Sequence, residues 1–177
     1  MEAIRWEHDA LLLLDQTRLP AAESWLRYTD YREVAQAIRT MVVRGAPAIG
    51  IAAGYAMVLA TRECAGKADF PASMSRAKEI LAASRPTAVN LFWALDRMER
   101  CWTAFGPDLS RLEEEAQAIH REDIRMNRAM GQAGAELVPQ GARILTHCNA
   151  GALATGGYGT ALGVIRAAHA QGKVSMV

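Results

Sequence analysis

The sequence has few of the residues that build covalently linked or metal-stabilised folds. Its 177 residues include three cysteines, Cys64, Cys101 and Cys148, and no two of them form a C-x-x-C pair. The four histidines form neither an H-x-x-x-H nor an H-E-x-x-H spacing. These shortages argue against a disulfide scaffold, a zinc ribbon or another metal site. We therefore expect a cytoplasmic protein without a metal.

An excess of one charge and long apolar runs are also missing. Lys and Arg number 20 and Asp and Glu 19, so the net charge is +1, and the charges are interspersed. We therefore expect no nucleic-acid partner that binds through bulk charge. Uninterrupted apolar runs are short, as at residues 10–14, so no segment is expected to span a membrane. The first ten residues lack the basic and apolar pattern of a secretory signal.

What is present divides the chain into three parts. Residues 1–30 contain three strand candidates, at 4–6, 10–14 and 25–29, and predict a small antiparallel β meander. Residues 31–139 carry apolar side chains at helical spacing and predict a bundle of four or five helices. Residues 140–177 predict a strand, a glycine-rich loop, a helix and the start of a second strand. The fold class is thus α+β to α/β, ending in the truncated start of a Rossmann-like parallel sheet.

The spacing of apolar residues predicts which helix faces are buried. In the small, apolar segment 48–61, Gly50 and Gly54 are four residues apart, which indicates close helix packing. Three stripes at helical spacing are expected to face the core. They are Val34, Ile38 and Met41; Leu91, Leu95, Met98 and Trp102; and Leu112, Ala116, Ile119, Met126 and Met130.

Cys148 is the first candidate for chemistry. It ends the predicted strand 142–148 and precedes a helix start, and ligands of open α/β sheets bind beyond the carboxyl ends of strands. The positive end of a helix dipole stabilises a thiolate. An inert buried cysteine is the alternative, as we expect for Cys64 and Cys101. On a strand His147 would point to the opposite face, which makes it a poor base for Cys148.

Two turns carry an arginine before a helix start. Residues 44–47 read Arg-Gly-Ala-Pro and residues 84–87 read Ser-Arg-Pro-Thr. Free amides beside an arginine can cradle an anion such as a phosphate, although solvated arginines at helix breaks are the alternative. The glycines around Tyr158 fit neither the dinucleotide fingerprint nor a phosphate-loop motif, so we expect no nucleotide cofactor.

Three motifs together resemble one family. They are Val-Arg-Gly-Ala-Pro-Ala-Ile-Gly at 43–50, Ser-Arg-Pro-Thr-Ala-Val-Asn-Leu at 84–91 and Thr-His-Cys-Asn-Ala-Gly at 146–151. The sequence resembles the methylthioribose-1-phosphate isomerases, in the superfamily that includes the regulatory subunits of translation initiation factor 2B. The resemblance implies a cofactor-free isomerase of methionine salvage that converts 5-methylthioribose 1-phosphate to 5-methylthioribulose 1-phosphate. It further implies Cys148 as the catalytic thiol, substrate contacts from Arg44, Gly45 and Ala46, and phosphate binding by Arg85.

The resemblance also implies parts that these 177 residues do not supply. The family pairs its cysteine with an aspartate from the C-terminal domain, and neither Asp96 nor Asp123 matches that motif. We therefore expect the chain alone to be inactive, and the full-length protein to be a homodimer. The alternatives are a ribose 1,5-bisphosphate isomerase and a non-catalytic subunit that senses sugar phosphates.

Overall fold

The computed structural model describes residues 2–177 and begins with a three-stranded sheet. Strands β1 (Ile4–Glu7), β2 (Ala10–Leu14) and β3 (Trp25–Tyr28) follow one another in chain order. Both pairings are antiparallel, so the predicted meander is confirmed. Strand β2 is apolar because it lies in the middle of the sheet with four of its five residues buried.

Five helices follow the sheet, as predicted. They are α1 (Tyr31–Arg39), α2 (Ala46–Cys64), α3 (Phe70–Ala82), α4 (Val89–Phe105) and α5 (Leu109–Glu136). The carboxylates of Asp30 and Asp108 accept backbone N–H groups at the starts of α1 and α5, which satisfies donors that a helix leaves free. Helix α2 is central and buried on all sides from Ala48 to Thr61. One hydrophobic core includes residues of the meander and of all five helices.

The close packing predicted at Gly50 is confirmed. A Cβ atom added there would lie 2.7 Å from the carbonyl oxygen of Asn90, in the first turn of α4. A Cβ atom at Gly54 would instead lie 3.4 Å from the side chain of Ile119, an ordinary contact. Only hydrogen at position 50 lets α2 approach the backbone of α4 this closely.

Two predicted stripes are wrong at their ends. Met41 follows α1 with a φ of +63° and is half exposed. Met126 and Met130 of α5 are 60% and 42% exposed. The buried stripe of α5 continues instead through small and polar residues, because the C-terminal segment packs there and supplies hydrogen-bond partners. This stripe is Leu112, Ala116, Ile119, Asp123, Asn127, Gly131 and Ala135.

The C-terminal segment packs on α5. It consists of β4 (Ala142–Arg143), a 3₁₀ turn (Ala152–Ala154), α6 (Ala161–Ala170) and β5 (Val174–Met176). Strands β4 and β5 pair in parallel, as predicted for the start of an α/β sheet. The first strand is much shorter than expected, because only its beginning finds a partner in β5. Among residues 2–177, no helix combines the length and the apolarity that crossing a membrane requires.

The two glycines of α2 give a matched test of this packing. Replacing an interior helical glycine by alanine normally stabilises a protein by up to about 1 kcal/mol. We expect Gly54→Ala to be neutral or stabilising, because the added methyl group makes an ordinary contact. We expect Gly50→Ala to lower the free energy of unfolding by about 1–3 kcal/mol, because the Asn90 backbone must move. Urea unfolding measures both; equal effects would contradict the close approach at Gly50.

Candidate active site

An open cavity of about 520 Å³ brings together two of the three sequence motifs. Arg44 comes from the turn before α2, and Cys148 from the loop that follows β4. The rest of the lining comes from the loop after β2, from the neighbours of Cys148 and from the 3₁₀ turn. These residues are Gln16, Leu19, His147, Asn149 and Leu153.

Gly45 allows the arginine turn to reach the 3₁₀ turn. It has a φ of +103°, which favours glycine, and a Cβ atom there would lie 2.5 Å from the Cα atom of Ala154. The side chain of Gln16 donates to the carbonyl oxygen of Leu153 at 2.8 Å and ties a third loop to the same place. Ala46 is the first residue of α2. The free amides of the first turn of α2 therefore lie next to Arg44.

Cys148 lies at a strained point of its loop. Its φ is +71°, in the left-handed region that costs a non-glycine residue about 1–3 kcal/mol. The thiol is exposed, so the alternative of an inert buried cysteine does not hold for it. Residues 146–148 are not in a strand, and the expected opposite orientation of His147 and Cys148 is wrong: both line the cavity.

The other two cysteines lie in the helical bundle, as expected. Cys64 and Cys101 are buried. Burial also raises the pKa of the Cys101 thiol, which keeps it protonated and unreactive.

Arg85 lies apart from this cavity. It is half-buried in the turn before α4, and its carbonyl oxygen accepts the N–H of Ala88 at 3.0 Å. Within residues 2–177 the cavity lining includes Arg44 and Cys148 but not Arg85. The two arginine turns are nevertheless connected, because the starts of α2 and α4 touch at Gly50 and Asn90.

A second cavity of about 300 Å³ lies beside these two helix starts. Apart from Asn90 and the carboxyl group of Asp123, its lining is apolar. The lining consists of Pro47, Gly50, Ile51, Val89, Asn90, Trp93, Ile119, Asp123 and Met126.

Asp123 is the buried carboxyl group that sequence reasoning passed over. It is 8% exposed, and its Oδ2 accepts the N–H of Gly156 at 2.6 Å. Burial raises the pKa of Asp123 above its ordinary value, although the amide hydrogen bond acts in the opposite direction. His120, one turn earlier, holds the carbonyl oxygen of the same glycine. Asp123 follows the buried residues Ala116 and Ile119 at helical spacing, and this was the signal available in the sequence.

The part of the chain that the structure describes, residues 2–177, contains no group of three His, Cys, Asp or Glu side chains arranged to hold a metal ion.

Similarity to known proteins identifies the family of this chain. Residues 42–177 match the model of the Initiation factor 2 subunit family. The chain is 55% identical to a methylthioribose-1-phosphate isomerase of Pelotomaculum thermopropionicum, over 98% of the chain and 50% of the relative. It is 56% identical to one of Alkalilimnicola ehrlichii, over 95% of the chain and 49% of the relative. The chain therefore spans about half the length of these curated relatives.

Two solved structures have the same fold. A 5-methylthioribose 1-phosphate isomerase of Pyrococcus horikoshii superposes with a TM-score of 0.89 at 38% identity, covering 99% of this chain and 51% of that one. Translation initiation factor eIF-2B subunit delta from A. fulgidus gives 0.83 at 40% identity, covering 99% and 53%. The chain belongs to the Initiation factor 2 subunit family. Within that family its highly similar sequence relatives are methylthioribose-1-phosphate isomerases.

Thiol labelling tests the exposure of Cys148. We expect iodoacetamide to modify Cys148 in the folded chain at least ~10-fold faster than Cys64 or Cys101, because only the exposed thiol is accessible. Peptide mass mapping after timed quenching measures the three rates. Cys148→Ser is the control and should leave the folded chain almost unlabelled. Comparable labelling of Cys64 would contradict the burial of its thiol.

The raised pKa of Asp123 makes stability depend on pH. The folded state holds this proton more tightly than the unfolded state, so the contribution of Asp123 to stability is full below its ordinary pKa and falls as pH rises through the raised value. Asp123→Asn removes this titration and keeps an acceptor for Gly156 N–H. We expect the Tm of this variant, relative to the unmodified chain, to increase from about pH 4 to about pH 8.

Circular-dichroism melts at a series of pH values measure this difference. Glu114→Gln, on the exposed face of the same helix, is the matched control. A Tm difference for Asp123→Asn that stays constant with pH would contradict the raised pKa.

Proposed function

We propose that the protein to which this chain belongs is a sugar-phosphate isomerase that converts 5-methylthioribose 1-phosphate to 5-methylthioribulose 1-phosphate. One observation carries the proposal: an exposed, backbone-strained Cys148 lines the same cavity as Arg44, which precedes the free amides of α2. The names of the similar relatives support the choice of substrate.

The reaction explains why these groups are needed. The phosphate blocks the anomeric oxygen, so the ring cannot open to a free aldehyde. Opening instead needs an acid that protonates the ring oxygen as its bond to C1 breaks. Hydrogen then moves from C2 to C1, while the substrate as a whole is neither oxidised nor reduced. The conversion therefore balances without a cofactor. Both a proton route through an enediol and a hydride route satisfy this balance.

Each candidate residue has a role in the proposed reaction. The guanidinium of Arg44 and the backbone at Gly45 and Ala46 bind the substrate, because a helix N-terminus beside an arginine attracts a phosphate. Cys148 is the catalytic thiol. Arg85 contributes to phosphate binding from the turn before α4, a helix whose first turn touches α2 at Gly50.

The open cavity does not by itself provide the water-poor environment that such chemistry requires. We propose that the missing enclosure and a catalytic aspartate come from a C-terminal half that the longer relatives contain. Residues 140–177 would then begin a Rossmann-like domain, after the meander of residues 1–30 and the bundle of residues 31–139. We further propose a cytoplasmic homodimer for the full-length protein and no turnover by the chain alone.

The two alternatives fit the structure less well. A ribose 1,5-bisphosphate isomerase needs a second phosphate site, but the cavity beside the arginine turns is mainly apolar and no cationic side chain of residues 2–177 lines it. A purely sensing subunit has no use for an exposed cysteine held in a strained conformation beside Arg44.

A chimera tests the proposal with a direct readout. We expect this chain, joined to the C-terminal half of the Alkalilimnicola ehrlichii relative, to convert 5-methylthioribose 1-phosphate to the ketose, measured by NMR of the product. We expect Cys148→Ser to lower kcat by at least ~10³-fold, because a positioned acid–base or nucleophilic group is lost.

The controls separate chemistry from binding and folding. Arg44→Lys should raise KM more than it lowers kcat, because a lysine loses the two-pronged phosphate contact but keeps the charge. Cys64→Ser, in the helical bundle, should leave kcat unchanged. A folded chimera that binds but does not convert the substrate would overturn the proposed function, as would a Cys148→Ser variant with normal turnover.

A further inference from the structure

We propose that three side chains outside the cavity, Tyr55, His120 and Asp123, form a clamp on Gly156 that positions the Cys148 loop. We call them the Gly156 clamp. They are positioning residues, since none of them lines the cavity of Arg44 and Cys148. The positioning of the thiol concerns this chain alone. Its importance for catalysis rests on the proposed function.

The clamp holds both polar backbone groups of one residue. Asp123 Oδ2 accepts the N–H of Gly156 at 2.6 Å, and His120 Nε2 lies 2.9 Å from the carbonyl oxygen of Gly156. The approach is so close that a Cβ atom on residue 156 would lie 2.8 Å from His120 and 2.9 Å from Asp123. Because both groups of Gly156 are fixed from α5, its peptide planes have little freedom to rotate.

The carbonyl oxygen of Gly156 determines which nitrogen of His120 carries the proton, and Tyr55 completes the arrangement. A carbonyl oxygen only accepts, so Nε2 of His120 must carry the proton that it donates to Gly156. In the neutral ring Nδ1 then accepts from the hydroxyl of Tyr55 at 3.2 Å. Burial raises the pKa of Tyr55, so its hydroxyl stays protonated and remains a donor. The Tyr55 ring is fixed in turn by stacking on Trp6 at a centroid distance of 5.0 Å.

The glycine-rich loop transmits the position of Gly156 to the Cys148 turn. The hydroxyl of buried Thr155 accepts the N–H of Gly159 at 3.0 Å. Gly159 packs so tightly on Gly151 that a Cβ atom would lie 3.0 Å from its Cα atom. The carbonyl oxygen of Ala150, two residues after Cys148, accepts the N–H of Thr160 at 2.9 Å.

This arrangement gives a physical reason for the strain at Cys148. A cysteine keeps a positive φ only when its surroundings hold the flanking backbone. On the side that follows Cys148, the backbone is held by Ala150 and Gly151, and these rest on the loop that the clamp fixes. Release of Gly156 should therefore let Cys148 relax to an ordinary negative φ.

NMR of the full 177-residue chain tests the clamp without relying on catalysis. We expect Asp123→Ala to reduce hydrogen-exchange protection of the Gly156 amide by at least ~10-fold. We also expect it to move the Cys148 Cα and amide resonances toward values typical of a negative φ. Asp123→Asn keeps an acceptor and should restore both signals. Unchanged Cys148 resonances in a folded Asp123→Ala variant would overturn the proposal.

Two further variants separate positioning from general loss of stability. Met98→Ala removes a fully buried side chain of α4, so it destabilises the chain without touching the clamp, and it should leave the Cys148 resonances in place. If it moves them as Asp123→Ala does, the role of Asp123 is only structural and the proposal is wrong. Tyr55→Phe removes only the hydrogen bond to His120 and should shift the His120 ring and Gly156 signals; no shift would exclude Tyr55 from the clamp.

The chimera also allows a kinetic test of the clamp. We expect Asp123→Ala there to lower kcat by at least ~10-fold with little change in KM, and Asp123→Asn to recover most of kcat. An inactive unmodified chimera would count against the proposed isomerase function alone, because the NMR result judges the clamp independently. An active chimera in which Asp123→Ala retains full kcat would overturn the catalytic importance of the clamp.

Discussion

The close approach of α2 and α4 is the constraint on which the rest of the structure depends. Helix α2 is buried along nearly its whole length, and Gly50 lets its first turn touch the backbone of α4 at Asn90. The two arginine-bearing turns immediately precede these helices, so the contact fixes where both turns lie. A glycine is needed at this contact because the two helix backbones must come close enough to bring the turns together.

The candidate active site combines loops from distant parts of the chain. One cavity is lined by Gln16 from the meander, Arg44 from the bundle and Cys148 from the C-terminal segment. Where two of these loops nearly touch, a glycine is needed. Gly45 leaves no room for a Cβ atom beside Ala154. A buried carboxylate and a histidine on α5 then fix the glycine loop by hydrogen bonds to Gly156. Backbone contacts and buried polar contacts together hold an exposed thiol in a conformation that it would not adopt in a free loop.

Much of the fold could be predicted because local patterns and tertiary contacts agree. The apolar run of β2 and the stripe from Leu91 to Trp102 each indicate their structure within a few residues. Predictions failed where a distant segment supplied the environment. Met126 and Met130 resembled core residues, but the α6 region packs beside Asn127 and Gly131 instead. Residues 146–148 resembled the end of a strand, but β5 pairs only with the first part of the predicted strand 142–148.

The sequence by itself determined the order of elements, the family motifs and which residues are candidates for chemistry, because these depend on residue type and short-range spacing. The tertiary structure alone decided that Arg44 and Cys148 share a cavity while Arg85 lies outside it. It also decided that Asp123 and His120 act on Gly156, more than thirty residues away. A hydrogen bond between distant residues leaves no periodic trace in a single sequence; it exists only once the chain has folded and burial has made an unpaired polar group costly.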